Sequence, residues 1–552
     1  MPDGRFIDIC YHAPVTMKFS TLATALLFAI VTSIGVGAPA HAKTLRYATQ
    51  DEPQTLDPHS ANLAVANRLL SNIYEGLVFR DKDYKIVPWL ATSWTQPDAK
   101  TWRFKLRPNV KFHDGSAFTA DDVVFSIERA LHPLSQLKVA VQGVERGRKV
   151  DDLTVDLIMR EPNPVLLNHL VFFRIVSKTW AEKNKAAIPQ NYKDKEETFS
   201  SRNSNGTGPF MLLERQPDVR TVIVENKTWW NRNSPERGNV SRIELLPIQS
   251  RPTRLAALIS GEVQFVNDPP TQDVPRLKAN KDIKIVEGQE ARVQYLVFDT
   301  SRDELLYSDV KGKNPWRDLR VRQAVAHAID VEAIKLKSMR GLSVPTGTII
   351  TKFDQGFSSD ADKRLKYDLV RARELLKEAG YPNGFGVTLD CGNNAPAADI
   401  CPAVAVMLNQ IGIRVTANVM TIPNFFPKLQ RADTSFYLLS WTSPTSDALY
   451  TLQSLVYTHG GDGVANASGD NNYGRYSNKD LDRLIDQFKV EPDMKKRDAL
   501  IRDALLLLNR ELPIVPLHRQ IIPWAMSAKP GTDVTAIFPP NGTPYFFRFK
   551  IQ

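Results

Sequence analysis

The chain is predicted to be an α/β protein, on three observations. Runs rich in β-branched and aromatic residues alternate along its length with amphipathic helical stretches. One stretch reads as a complete crossover: a strand over 243–246, Pro247 and Pro252 opening a helical segment over 254–260, a stop at Gly261, and a second strand over 263–266. Strand–helix–strand units of this kind build α/β sheets. Finally, the 552 residues are 42% hydrophobic and 24% charged, which is ordinary for a globular chain with material for several cores.

The first element is a leader. Lys18 precedes an apolar run over 19–37, which ends in Pro39-Ala40-His41-Ala42. A positive n-region, an apolar h-region and an A-x-A site read as a secretory signal peptide, residues 1–42, cut after Ala42. The mature chain would begin at Lys43 and have 552 − 42 = 510 residues. The alternative is a membrane anchor, but the run falls short of the ~20 apolar residues that span a bilayer comfortably. No Cys stands at the cleavage point to carry a lipid, and Met17-Lys18 would make a second conventional start. The expected location is therefore the periplasm, as a soluble exported protein.

Strands are expected over 44–49, 221–225, 242–248, 293–298 and 436–439. Trp102, Phe104 and Leu106 alternate as a strand and lead to His113-Asp114-Gly115, where Asp-Gly marks a turn rather than a catalytic pair. Asp368 is placed to cap a helix whose Leu369, Ala372, Leu375, Leu376 and Ala379 share one face, with Gly380 and Pro382 ending it. A second helix carries Leu481, Leu484, Ile485 and Phe488 behind Ser477 and Asn478. A third carries Leu500, Ile501, Ala504, Leu505 and Leu508 and stops before Pro513. These stripes are core. The segment from His459 to Gly474, rich in Gly, Asn, Asp and Ser, reads as a mobile surface loop. Without a strand before it and a helix after it, Gly460, Gly461 and Gly463 make no phosphate cradle.

Charge and motifs narrow the function. The net charge is +10, and the leader contributes nothing to it because Arg5 and Lys18 cancel Asp3 and Asp8. Basic residues are interleaved with acids; even Lys495-Lys496-Arg497 lies between Asp493 and Asp498, a solvated helix face. Nucleic acid is not an expected partner. With Cys10 in the leader, Cys391 and Cys401 are the only pair in an oxidising setting, which favours a disulfide; a metal site would need His or further Cys nearby. No metal site is expected, since the nine His show no metal-binding spacing. There is no G-x-S-x-G elbow and no P-loop, so no catalytic residues are assigned and an enzyme is not expected.

Several segments together carry a resemblance. Residues 101–115, Thr-Trp-Arg-Phe-Lys-Leu-Arg-Pro-Asn-Val-Lys-Phe-His-Asp-Gly, continue into Phe118-Thr119-Ala120-Asp121-Asp122-Val123-Val124-Phe125-Ser126. To these add Leu56-Asp57-Pro58-His59, Tyr74-Glu75-Gly76-Leu77, Gly206-Thr207-Gly208-Pro209-Phe210, Glu225-Asn226-Lys227-Thr228-Trp229-Trp230 and Arg320–Asp330. In order and spacing the set resembles the family 5 extracellular solute-binding proteins, the peptide/nickel-type periplasmic receptors of ATP-binding cassette importers.

That resemblance implies a class II periplasmic-binding-protein fold, with two lobes closing on a ligand about a hinge and three domains. The implied ranges are domain I over 43–74, 208–300 and 512–552, domain II over 75–207, and domain III over 301–511. Gly206 to Gly208 would return the chain from the second domain to the first, with glycines suited to a sharp turn. In peptide-binding relatives a Trp and an Asp three positions later lie at the lobe interface, the Asp taking the peptide ammonium. Here Trp441 matches but Pro444 stands in the acid's place. Asp447 is three residues further on, where ligand contact and an N-cap before Ala448 are equally open. Dipeptide-binding relatives also offer an Arg before the Cys401 helix, where this chain has Cys391-Gly392-Asn393-Asn394. Losing such clamps removes ~1.5–3 kcal/mol for each charge-assisted hydrogen bond. The implied ligand contacts are Asn393, Asn394, Trp441, Thr442 and Asp447, on a blocked or modified peptide, an opine-like conjugate or a polar small molecule. The implied partners are that solute and a membrane permease, with the receptor a monomer and no cofactor of its own. Alternatives are a nickel chelate or haem on the same fold, a secreted peptide-holding chaperone and, more remotely, an exported hydrolase.

Overall fold

A single eleven-stranded sheet runs through the molecule and explains how its parts are joined. In the computed structural model the described residues are 43–192, 194, 196–267, 269–394, 396–460, 468–540 and 542–552. The expected leader and residues 461–467 of the expected mobile loop lie outside them. Across the sheet the strand order is Arg414–Met420, Gly386–Gly392, Phe436–Thr442, Ile283–Phe298, Ile514–Ser527, Phe265–Asn267, Lys43–Thr49, Val240–Pro247, Arg220–Glu225 and Phe210–Gln216. Ser343–Pro345 is added beside Ile514–Ser527.

The expected crossover is present. Lys43–Thr49 pairs in parallel with Val240–Pro247 on one side and Phe265–Asn267 on the other, so the crossover straddles it. Its helix, Arg251–Ser260, is capped by the Ser250 hydroxyl, carries Pro252 in its first turn, and ends at Gly261 with φ 93°. The second strand starts at Phe265 rather than 263.

A separate four-stranded antiparallel sheet, in the order Ala91–Asp98, Thr101–Leu106, Thr154–Met159, Val144–Asp151, packs on the helix Ala120–Leu131. Its core holds Trp102, Phe104, Val123, Ile127, Val155 and Leu157. Asp114-Gly115 forms the expected turn, with Gly115 at φ 89° and the Ser116 amide donating to Asp114 at 3.0 Å. The third region is built from the expected helices. Asp368 caps Leu369–Glu378 by accepting from the Arg371 amide at 2.9 Å, and Gly380 takes φ 90°. Asn478 caps Lys479–Val490 and Asp493 caps Met494–Glu511. Two cores flank the sheet here. Leu296, Phe298 and Leu438 point to one and Val293, Tyr295 and Tyr437 to the other, the alternation of a doubly covered strand.

Two long strands, Ile283–Phe298 and Ile514–Ser527, join the lobes. Residues 283–289 pair with 521–527, and 293–297 with 514–519; the register slips between Gln289 and Val293 and again between Gln294 and Tyr295. On one side of the slips the neighbouring strand is Phe265–Asn267, and on the other it is Phe436–Thr442. The sheet thus changes lobes at 289–293 and 519–521, inside the ranges 208–300 and 512–552 that sequence assigns to the first domain. Interrupted pairing at these crossings bends and twists the strands locally.

The second junction lies at 72–77 and 205–209, where two chain segments cross side by side. The Gly208 amide donates to the Ile73 carbonyl at 2.9 Å and the Phe210 amide to Asn72 at 3.0 Å. A Cβ on Gly206 would lie 2.0 Å from the Ile73 oxygen, and one on Gly208 2.6 Å from it. Neither has a left-handed φ. The chain bends at 207–209 as expected, and the two glycines also permit close approach of two backbones. Beside them the buried Glu75 carboxylate accepts from the indoles of Trp89 at 2.7 Å, Trp229 at 3.0 Å and Trp230 at 3.1 Å, and from the Thr207 hydroxyl at 2.7 Å.

Candidate functional site

Gly386–Gly392 and Phe436–Thr442 are parallel, with Cys391 opposite Leu438, so their carboxyl ends open on the same sheet edge. That edge is where open α/β sheets hold ligands. It also adjoins the lobe crossing, because Thr442 pairs with Arg292 and Trp441 with Val293. The site expected from sequence is largely a consequence of this register.

Asn393 and Asn394 follow the first strand and are exposed. The Asn393 amide donates to Met420 at 2.8 Å, which holds the turn against the neighbouring strand end. Cys391 and Cys401 form the expected disulfide, with Cα atoms 6.4 Å apart, tying this strand to the helix Ala397–Asn409. Trp441 is half-buried. Its indole donates to the Thr451 hydroxyl at 3.1 Å and its ring stacks on Tyr450 with centroids 5.5 Å apart. Both partners belong to the helix Ala448–Leu455, so the Trp441 ring is a braced wall. Thr442 is half-buried beside Arg292, whose guanidinium binds Glu290 at 3.0 and 3.1 Å at the crossing.

Asp447 departs from the ligand-contact expectation. It is fully buried. One carboxylate oxygen accepts from the Leu449 amide at 2.8 Å and from Arg497 at 2.7 Å, and the other accepts from Arg497 at 2.9 Å. It is the helix cap that sequence allowed, and its charge is already matched by a guanidinium that is itself 0% exposed. Loop 443–447 therefore offers a ligand no free carboxylate, and residues 392–396 contain no arginine. The polar groups that sequence places at this edge are neutral. Among the described residues no group of three or more His, Cys, Asp or Glu could hold a metal ion.

Tyr450 also lines a cavity of about 600 Å³ between the second and third regions, walled by Gln142, Arg160 and Glu161 on one side and Gln453 and Lys489 on the other. Glu161 and Lys489 pair across it at 3.1 Å. Loop 443–447 also meets the opposite lobe. Arg80 donates to the Thr445 carbonyl at 3.2 Å, Asn168 to the Ser446 carbonyl at 3.3 Å, and the Ser446 hydroxyl to the Tyr84 oxygen at 3.2 Å. Sequence reasoning missed Arg80, Tyr84, Tyr450, Glu290 and Arg292. No motif spacing links them to residues 441–447; only the folded register does.

Residues 85–463 match the family described as bacterial extracellular solute-binding proteins, family 5 middle. The chain is 27% identical over 515 residues to the glutathione-binding protein GsiB of Pectobacterium atrosepticum, covering 91% of this chain and 94% of the relative. It is 26% identical over 498 residues to that of Escherichia coli, covering 88% and 91%. Among solved structures, HbpA2 from Haemophilus parasuis superposes with a TM-score of 0.76 at 24% identity, covering 92% of this chain and 100% of that one. The periplasmic binding protein DppA from Helicobacter pylori, in complex with the peptide STSA, superposes with a TM-score of 0.72 at 24% identity, covering 92% and 98%. These likenesses establish the two-lobed fold.

Proposed function

The chain belongs to the bacterial extracellular solute-binding proteins of family 5, and from that premise we propose that it captures a short peptide-like solute between its lobes and delivers it to a membrane permease driven by a cytoplasmic ATPase. It works as an exported monomer and leaves the solute chemically unchanged. One observation carries the choice of solute: the two charged clamps expected in peptide-binding relatives have no counterpart at this edge, where Arg292 is bonded to Glu290. Asp447 is spent on Arg497, Pro444 replaces the expected acid, and no arginine lies in 392–396. A free α-ammonium and a free carboxylate at the usual places would lose their charge-assisted partners. A modified peptide whose backbone meets Asn393, Asn394 and Thr442, with an apolar part against Trp441, fits better. Glutathione keeps an α-ammonium and two carboxylates, displaced from the usual tripeptide positions by its γ-glutamyl linkage, and it is the first probe because of the relatives named for it.

Isothermal titration with glutathione, an unmodified tripeptide and a blocked tripeptide tests this reading. The expected order is the blocked peptide ahead of the free one, with glutathione binding measurably through its displaced termini, and each solute recovered intact afterwards. Trp441→Ala should weaken binding by about 1–3 kcal/mol, roughly fivefold to a hundredfold, without unfolding the protein. Unchanged affinity in that variant, or tightest binding of the free tripeptide, would remove the assignment.

A further inference from the structure

We propose that the contact between hairpin residues 78–88 and the loops 351–355 and 443–447 is a closure latch. It sets the balance between open and closed lobes, and so the affinity, without touching the solute. The inference rests on the two-lobe reading above and adds the residues that control closure.

Each side of the contact is a preformed part. On the first lobe, the strands Val78–Arg80 and Ile86–Pro88 pair as a hairpin. Arg80 donates to the Tyr84 carbonyl at 2.8 Å and lies over the Tyr84 ring at 4.6 Å. On the opposite lobe, built by the third region, Asp447 and Arg497 fix loop 443–447 from below. The Gln355 amide donates to Ser446 at 2.9 Å and the Ala448 amide to Gln355 at 3.0 Å, which locks the two loops together. Ser446 takes φ 51°, a left-handed conformation that is costly for a residue with a Cβ. That conformation accompanies its hydroxyl on Tyr84 and its carbonyl on Asn168.

What joins the two parts is a few polar bonds and apolar contacts, beside the Glu161–Lys489 pair at 3.1 Å. Arg80 reaches Thr445, Ser446 reaches Tyr84, and Asn168 reaches Ser446. The Tyr84 ring meets Phe353 edge-on at 5.8 Å, and Val165 enters the apolar cluster of the third region. Among the described residues no strand pairing crosses this seam. Two opposite charges are buried on its two sides, Arg80 and Asp354. Arg80 Nε and one Asp354 oxygen have no hydrogen-bond partner among the described residues. A permanent interface would be expected to satisfy such groups, because an unsatisfied buried donor or acceptor is costly. Here opening lets water reach both, which offsets part of what the seam loses. The contact is therefore close to balance, as a two-state element requires.

Hydrogen exchange and small-angle scattering on the purified, solute-free protein test the proposal, using Arg80→Gln, Tyr84→Phe, Ser446→Ala and the Tyr84/Ser446 double variant. For Arg80→Gln the expected result is exchange faster by about tenfold in 165–170, 351–355 and 443–447 and a larger radius of gyration, with the melting temperature held within about 2 °C. The Tyr84 and Ser446 changes should be non-additive, since both remove one bond. Glutathione should restore the compact dimensions with an affinity about tenfold weaker, because the competent state is rarer. A lower melting temperature with unchanged dimensions and exchange would show a permanent interface and overturn the proposal. If the unaltered protein does not bind glutathione, the solute assignment fails, while the solute-free measurements still decide the latch.

Discussion

Replacing Asp447 by Asn separates the two roles that a carboxylate could have beside Trp441. In the structure the side chain accepts three hydrogen bonds, from Leu449 N at 2.8 Å and from Arg497 at 2.7 and 2.9 Å, and both members of the ion pair are at most 1% exposed. Asn is an adequate N-cap, so the helix Ala448–Leu455 loses little. The guanidinium of Arg497 keeps its bond to the Phe488 carbonyl at 3.0 Å but loses its counter-charge where water cannot replace it. Breaking a buried pair in this way costs about 3–5 kcal/mol. Urea unfolding followed by fluorescence should show that loss. A second change, Arg497→Met, made in the Asp447→Asn background, should recover part of it by removing the stranded cation. Titration of the folded variant should show solute affinity within a fewfold of the parent. If Asp447→Asn instead leaves stability within about 0.5 kcal/mol and lowers affinity more than tenfold, the carboxylate belongs to the ligand and its structural assignment is wrong.

Two further outcomes follow from the fold. Burial pushes the Glu75 carboxyl up to about 7, outweighing its hydrogen bonds from the three tryptophans and Thr207. The folded protein then holds a proton that the unfolded chain, with a Glu pKa of about 4.3, gives up. Stability therefore falls by on the order of 3 kcal/mol as pH rises from about 4.3 to 7, and is level above that. Glu75→Gln should flatten this part of a melting-temperature profile, and an identical slope in both proteins would assign the dependence elsewhere. Changing Cys391 and Cys401 together to Ala frees a short loop, with a sequence separation of 10, and should cost about 2.5–3 kcal/mol in denaturant unfolding. Equal midpoints would show that the bond is not formed in solution.

Local features were legible because their signals are local. The helix Leu369–Glu378 announces its cap, its stripe and its glycine stop within one short stretch. The cysteine pair was legible by count, since only Cys391 and Cys401 lie beyond the expected leader. The strand Ile283–Phe298 was visible only in its second half. Its first half, with Lys284, Glu287, Gly288, Gln289 and Glu290, breaks the apolar pattern because it approaches and crosses the lobe boundary rather than lying in one core. Asp447 could not be resolved from sequence because its partner lies fifty residues away on another helix. The seam was invisible for the same reason: Arg80 and Thr445 are 365 positions apart. The glycines at 206 and 208 were noticed, but their reason, the Ile73 carbonyl, comes from a separate segment.

The strand Ile514–Ser527 has a consequence for how the protein is made. It completes the sheet beside Ile283–Phe298, Phe265–Asn267 and Ser343–Pro345, and beyond it Pro544 and Phe546 bond to Asn72. A nascent chain leaving its synthesis site amino end first therefore cannot finish either half until its final segment is delivered. Long-range closure of this kind slows folding and favours intermediates. It makes any truncation upstream of Ile514 leave both halves with an unpaired edge.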